Sequence, residues 1–119
     1  VVERPQPRRG EVWWAVADKR RPVLVVQADF LNRSALDWIL AVPLTGKLQH
    51  QGLPGNVRLP RRSSGLDRPC VANVAQVAPL HRCTFSGLVA KLPARRLAMV
   101  EAGLRLVLGL DSGFLPGRE

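Results

Sequence analysis

The stretch "FSGLVAKLPARRLAMVEAGLRLVLGL", residues 85–110, changes its hydrophobic period at Pro93, and that change decides the fold class. Before the proline, "FSGLVAKL" reads as a short strand. After it, Leu97, Val100, Leu104, Val107 and Leu108 recur at helical spacing, while Arg95, Arg96, Glu101 and Arg105 fall mostly elsewhere. This pattern predicts an amphipathic helix. Pro93 suits a first helical turn, where its missing N–H would have no intrahelical acceptor, although Leu92 is a poor N-cap. Gly109 can end the helix in the left-handed conformation, and "DSGFLPGRE" then trails off as a tail over 111–119.

Upstream of residue 85 the segments are short. "VVERPQPRR" has prolines and arginines but no periodicity, which predicts an extended arm over 1–7. "GEVWWAVAD" alternates Val12, Trp14 and Val16 with Glu11, Trp13 and Ala15, as a strand does. "PVLVVQAD" (22–29) is apolar on both faces and is expected to be central, with Pro22 opening the strand because it cannot sit inside one. "FLNRSALD" reads as a loop, "WILAVPLT" (38–45) as a third buried strand, and "GKLQHQGLPGN" as a long loop. "VRLP" and "PCVANVAQVAPL" supply two more strand stretches around the turn "RRSSGLDR", with Asn73 and Gln76 expected on opposite faces of the second. Many short strands followed by one helix make a small α+β barrel or half-barrel.

The 119 residues fit one domain, and 46% apolar content is enough for a core without covalent staples. No apolar run reaches the roughly 18 residues of a membrane span, and the first residues lack the apolar stretch of a secretory leader, so a cytoplasmic protein with no membrane association is expected. Cys70 and Cys83 lack metal-ligand spacing and read as buried, reduced thiols; no metal is expected. The net charge of +9, with arginine supplying fifteen of the eighteen basic residues, points to a polyanionic partner such as nucleic acid. Arginine on solvated faces is the plainer alternative.

No glycine-rich phosphate loop and no G-x-S-x-G elbow is present. His50 and His81 could form an acid–base pair, but neither has a carboxylate nearby in sequence, and surface histidine is the simpler reading. Arg21 stands directly before one buried strand and Thr45 ends another. If neighbouring strands bring those ends to one rim, a guanidinium and a hydroxyl would make a phosphate site. Periodicity equally allows a solvated edge charge and a threonine that is merely a β-former.

Seven segments add a second line of reasoning: "RRGEVWWA" (8–15), "RRPVLVVQAD" (20–29), "NRS" (32–34), "AVPLT" (41–45), "PGNVRLP" (54–60), "GLDRPCVANVAQV" (65–77) and "LGL" (108–110). In this order they resemble the MazF/PemK family of toxin endoribonucleases, the mRNA interferases of type II toxin–antitoxin systems. The resemblance covers residues 8–110 as one toxin domain. It implies an SH3-like antiparallel half-barrel with a C-terminal helix, acting as a homodimer without cofactor. The implied activity is metal-independent, sequence-selective cleavage of single-stranded RNA (mRNA, or rRNA or tRNA). The implied protein partner is an acidic MazE-like antitoxin, through which alone operator DNA would be met.

Carried onto this sequence, the family's catalytic arginine falls on Arg21, its catalytic threonine on Thr45 and a substrate-contacting glutamine on Gln76. Arg9 and, in the long loop, Lys47 are further RNA-binding candidates. The substrate 2′-OH would attack the adjacent phosphorus, leaving a 2′,3′-cyclic phosphate and a 5′-OH, with Arg21 opposing the charge that builds on the phosphoryl oxygens. The sequence departs from the family in its first loop, where only "DKR" joins the first two strands, and at Ala28, where a polar residue is usual. Two alternatives stay open: a gyrase-poisoning relative, a class that lacks the paired arginine and threonine present here, and a protein on this fold that binds nucleic acid without cutting it, for which the shortened loop is the best argument.

Overall fold

The computed structural model describes residues 4–110; positions 1–3 of the expected arm and the expected tail at 111–119 lie outside the described residues. One antiparallel sheet holds seven strands: β1 (Glu11–Val16), β2 (Arg20–Val25), β3 (Trp38–Thr45), β4 (Val57–Leu59), β5 (Cys70–Ala72), β6 (Ala78–His81) and β7 (Phe85–Lys91). Single helical turns α1 (Asp29–Asn32) and α2 (Arg61–Ser64) interrupt the loops, and the long helix α3 (Ala94–Leu108) follows β7. The strand order is β4-β5-β3-β2-β1-β7, with β6 also pairing with β3. The class is α+β, with strands first and the helix last.

Val23–Val25 of β2 and Ala41–Leu44 of β3 are apolar on both faces where both faces are covered, while Trp38 and Leu40 at the start of β3 stay exposed, against the expectation of a wholly buried strand. Leu24, Val42 and Leu44 join Val12, Leu92 and Val100 under α3, whereas Val23, Val25, Ile39 and Ala41 join Phe85 on the other side. Each buried Val, Leu, Ile or Phe among them contributes about 1.5–3 kcal/mol. The edge strands β4 and β7 are drawn together by α2: Gly65, at φ +79°, leaves no space for a Cβ against Val89 and Ala90 of β7. That contact curls the open sheet into a half-barrel. Gly103 performs a similar service for α3, since the Gly55 carbonyl lies where its Cβ would be.

Four further expectations need correction. Pro22 does not open β2; it is the third residue, opposite Trp14, and it is tolerated because β2 pairs with β3 only from Val23 onward. "PCVANVAQVAPL" is not one strand. β5 pairs Thr45 with Val71, and continuing that register would set Ala75 opposite Ala41, where Ala78 in fact sits. The three extra residues, Val74–Gln76, form a 3-10 turn between β5 and β6. Cys83 is exposed rather than buried, while Cys70 is buried as expected. In α3 the predicted apolar stripe overruns the sheet, leaving Val107 37% and Leu108 58% exposed. Pro93 is the residue before the helix, and Gly109 ends it at φ +70°.

Residues 4–7 lie against the body. Arg82, 1% exposed, donates from Nε and Nη2 to the Leu36 carbonyl and from Nη1 to the Pro5 carbonyl. Burial, and then the charge of Arg4, hold its pKa below the ordinary arginine value, while Asp37 works the other way. Arg4 pairs with Asp37 at 2.9 Å, and Pro7 is buried. Among the described residues no helix is long and apolar enough to cross a membrane.

Two predictions follow from packing and charge. Gly103→Ala must push α3 off the Gly55 carbonyl and is expected to lose about 1–3 kcal/mol in urea denaturation. Asp29, first residue of α1, accepts the Arg9 backbone N–H at 2.7 Å and Asn32 Nδ2 at 3.1 Å. The Arg9 bond above all holds its carboxyl below the ordinary 3.8; partial burial opposes this, and Asn32, Arg33 and Arg8 reinforce it. A depressed folded-state pKa gives stability that is present above 3.8 and lost as pH falls through the lowered value. Thermal melts down to about pH 2 should therefore show a shallower acid dependence in Asp29→Asn.

Candidate active site

The hairpin between β1 and β2 is tight: Ala17 N–H donates to the Lys19 carbonyl, and Asp18 caps the Lys19 N–H. Strand alternation beyond it sends the two arginines to opposite faces. Arg20, opposite Val16, lays its guanidinium over the Trp14 ring, 3.9 Å from the centroid. Arg21, opposite Ala15, points the other way and forms no ion pair among the described residues.

β3 meets β2 through Val23–Pro43, Leu24–Val42 and Val25–Ala41. Two further steps of that register, through Pro22 and Leu44, would set Arg21 against Thr45, and both residues line one recess with Pro22, Pro43, Asn73 and Gln76. The two sequence-predicted catalytic residues are thus brought together. Thr45 Oγ1 accepts the Lys47 backbone N–H at 3.1 Å, which leaves the hydroxyl proton for an acceptor in the recess. Gln76 reaches the recess from the 3-10 turn, so the residue expected on the far side of a strand from Asn73 shares its recess instead. An adjoining apolar hollow of about 160 Å3 shares Arg21 and Gln76 and is walled by Val16, Val23, Ala41 and Leu80. No carboxylate lines either hollow.

Asn73 is a site residue that sequence reasoning noted only for its strand face. Its backbone N–H donates to the Pro43 carbonyl at 2.9 Å, and its Oδ1 accepts from Asn56 Nδ2 at 3.1 Å. Asn56 also donates to the His50 carbonyl and accepts the Val74 N–H, each at 2.9 Å. Its oxygen is held this way, and Asn73 lines the recess beside Gln76. Nothing local marks this, because Asn56 stands on the far side of β4 in sequence.

The remaining candidates lie elsewhere. Arg9 pairs with Glu101 of α3 at 2.6 Å and lines neither hollow. Lys47 is exposed next to the recess, and its backbone rather than its ammonium holds Thr45. His50 and His81 line neither hollow; both are half-buried, and His81 Nδ1 accepts the Cys83 N–H at 3.2 Å. A guanidinium, a free hydroxyl proton and two side-chain amides around one hollow form a preorganised donor set for an anion with several oxygens. Asn56→Ala should loosen the Asn73 wall and lose about 1–3 kcal/mol in chemical denaturation.

Residues 8–108 match the family model described as PemK-like, MazF-like toxin of type II toxin–antitoxin system. Endoribonuclease MazF6 of Mycobacterium tuberculosis is 36% identical over 110 residues, covering 86% of this chain and 96% of that protein. The solved Mycobacterium tuberculosis toxin MazF-mt6 superposes with a TM-score of 0.75 at 23% identity, over 85% of this chain and 98% of that one. A chain of the MazE–MazF crystal structure (Form-I) from Deinococcus radiodurans reaches a TM-score of 0.73 at 26% identity, over 88% and 98%.

Proposed function

The chain belongs to the PemK-like, MazF-like toxin family of type II toxin–antitoxin systems, and on that footing we propose that it is an endoribonuclease that cuts single-stranded RNA in the Arg21–Thr45 recess. The observation that carries the reading is the convergence of those two side chains, with Asn73 and Gln76, on a hollow free of carboxylates. The 2′-oxygen forms a bond to phosphorus as the bond from phosphorus to the 5′-oxygen breaks. The 2′-OH gives up a proton and the departing oxygen gains one, leaving a 2′,3′-cyclic phosphate and a 5′-OH. Negative charge concentrates on the non-bridging oxygens, where Arg21 offers two parallel donors and Thr45 its free proton. DNA, without the 2′-OH, is spared.

Gln76 and the apolar hollow beside Arg21 suit an unstacked base, with an edge contact from the amide and packing from Val23 and Leu80. Selectivity for a short RNA motif belongs to this reading, as does independence of metal. The net charge of +9 suits an acidic, partly disordered antitoxin, and the Deinococcus radiodurans crystal structure holds MazF together with MazE. A homodimer in the cytoplasm completes the proposal; Trp38 and Leu40 of β3, 54% and 41% exposed, offer apolar area for a second copy.

Purified protein mixed with single-stranded RNA in EDTA should yield cyclic-phosphate ends. Arg21→Ala and Thr45→Val should each slow cleavage about 100-fold, the effect of removing one transition-state donor. Arg21→Lys should fall short of wild type, since an ammonium keeps the charge but not the fork. Intact RNA would turn the reading to binding without cleavage, and cutting that requires Mg²⁺ would reject the metal-free step.

A further inference from the structure

We infer that the RNA track continues from the Arg21–Thr45 recess across β5 and β4 onto five arginines, Arg58, Arg61, Arg62, Arg95 and Arg96, which bind the phosphates of the same strand beyond the cleavage point. The inference rests on the endoribonuclease reading and extends it. Val71 of β5 is paired on one side with Thr45 and on the other with Arg58. Directly paired residues put their side chains on one face. Thr45 and Arg58 therefore share a face two strand spacings apart, about 10 Å.

From Arg58 the positive surface is continuous. One recess is lined by Arg58, Arg61, Arg62 and Arg96, and its neighbour shares Arg62 and Arg96 and adds Arg95. No carboxylate lines either recess, and none of the five forms an ion pair among the described residues. Asp67, the acidic residue closest in sequence to α2, is exposed outside both.

Two further observations show that these cations are not placed for stability. Arg95 and Arg96 occupy the first turn of α3, which has no acidic residue and no side-chain cap, so they sit at the positive end of the helix dipole. Arg96 Nε is buried with no hydrogen-bond partner, and Nη1 finds nothing better than Met99 Sδ at 3.9 Å. A phosphate in the recess would offset the repulsion. A polyanion is favoured over an acidic peptide because the patch begins in the cross-strand row that holds Thr45; a strand with its scissile phosphate in the recess reaches Arg58 by passing over the buried Val71 and the Leu48–Gly52 turn packed against β5.

The test is fluorescence anisotropy of the full chain with a mixed-sequence 20-nucleotide RNA made uncleavable by 2′-O-methylation, titrated across salt concentrations. Two variants are compared with wild type after circular dichroism confirms folding: Arg58→Gln/Arg61→Gln/Arg62→Gln and Arg95→Gln/Arg96→Gln. The first should weaken binding at least about tenfold near 0.15 M salt and flatten the log–log salt slope by about 2, since each neutralised phosphate contributes about 0.7 on a single strand. The second should flatten it by about 1.4. Unchanged affinity and slope in both would overturn the track. So would a variant that binds RNA like wild type but loses polyglutamate, which would give the patch to an acidic protein. A wild type that leaves cleavable RNA intact while showing the arginine-dependent slopes would sink the endoribonuclease reading and leave the track standing.

Discussion

Three residue pairs between β2 and β3 hold this molecule's chemistry in place: Val23 with Pro43, Leu24 with Val42, and Val25 with Ala41. Their register decides which side chains enter the core and which reach the recess. A slip by one residue would move every side chain of a strand to its other face, taking Leu24 out of the core under α3 and turning Arg21 away from Thr45. The apolar burial on both faces of β2 and β3 penalises that slip twice over. The same register reaches further, because Thr45 is tied through Val71 to Arg58. A single row of cross-strand neighbours thus links the edge of β4 to the central strands.

Charge is distributed with the same economy. The two ion pairs among the described residues, Arg4–Asp37 and Arg9–Glu101, lie along the N-terminal segment and α3. Asp29 is occupied by the Arg9 amide and Asn32, and Asp18 by the hairpin. Carboxylates are thereby kept from the walls around Arg21, so its field is not cancelled locally. The neighbouring Arg20 shows the contrast: one position earlier in the strand, it is spent on the face of Trp14.

Much of this was legible in the sequence wherever a pattern was local. The change of period at Pro93 located α3, the apolar run from Trp38 to Thr45 matched β3 residue for residue, and two-sided hydrophobicity marked β2 as central. The convergence of Arg21 and Thr45 could be framed as a question but needed the β2–β3 register to answer. What stayed hidden was set by distant partners. The 3-10 turn at Val74–Gln76 carries no glycine or proline, and only the offset between β5 and β6 along β3 reveals it. Asn56 and Asn73 meet across β4 and β5, so neither announces the other. Arg82 looks like one more surface cation, yet backbone carbonyls supplied by residues 36 and 5 let it be buried.

That last arrangement bears on where the folded unit begins. The family model matches from residue 8, but the acceptor for Arg82 Nη1 is the carbonyl of Pro5, and Pro7 is packed out of solvent. Trimming the chain to begin at residue 8 would strip a cation in the interior of one of its acceptors, at a cost of about 1–3 kcal/mol. The span of the family model and the packed unit therefore start a few residues apart, and truncation experiments on this polypeptide should respect the second.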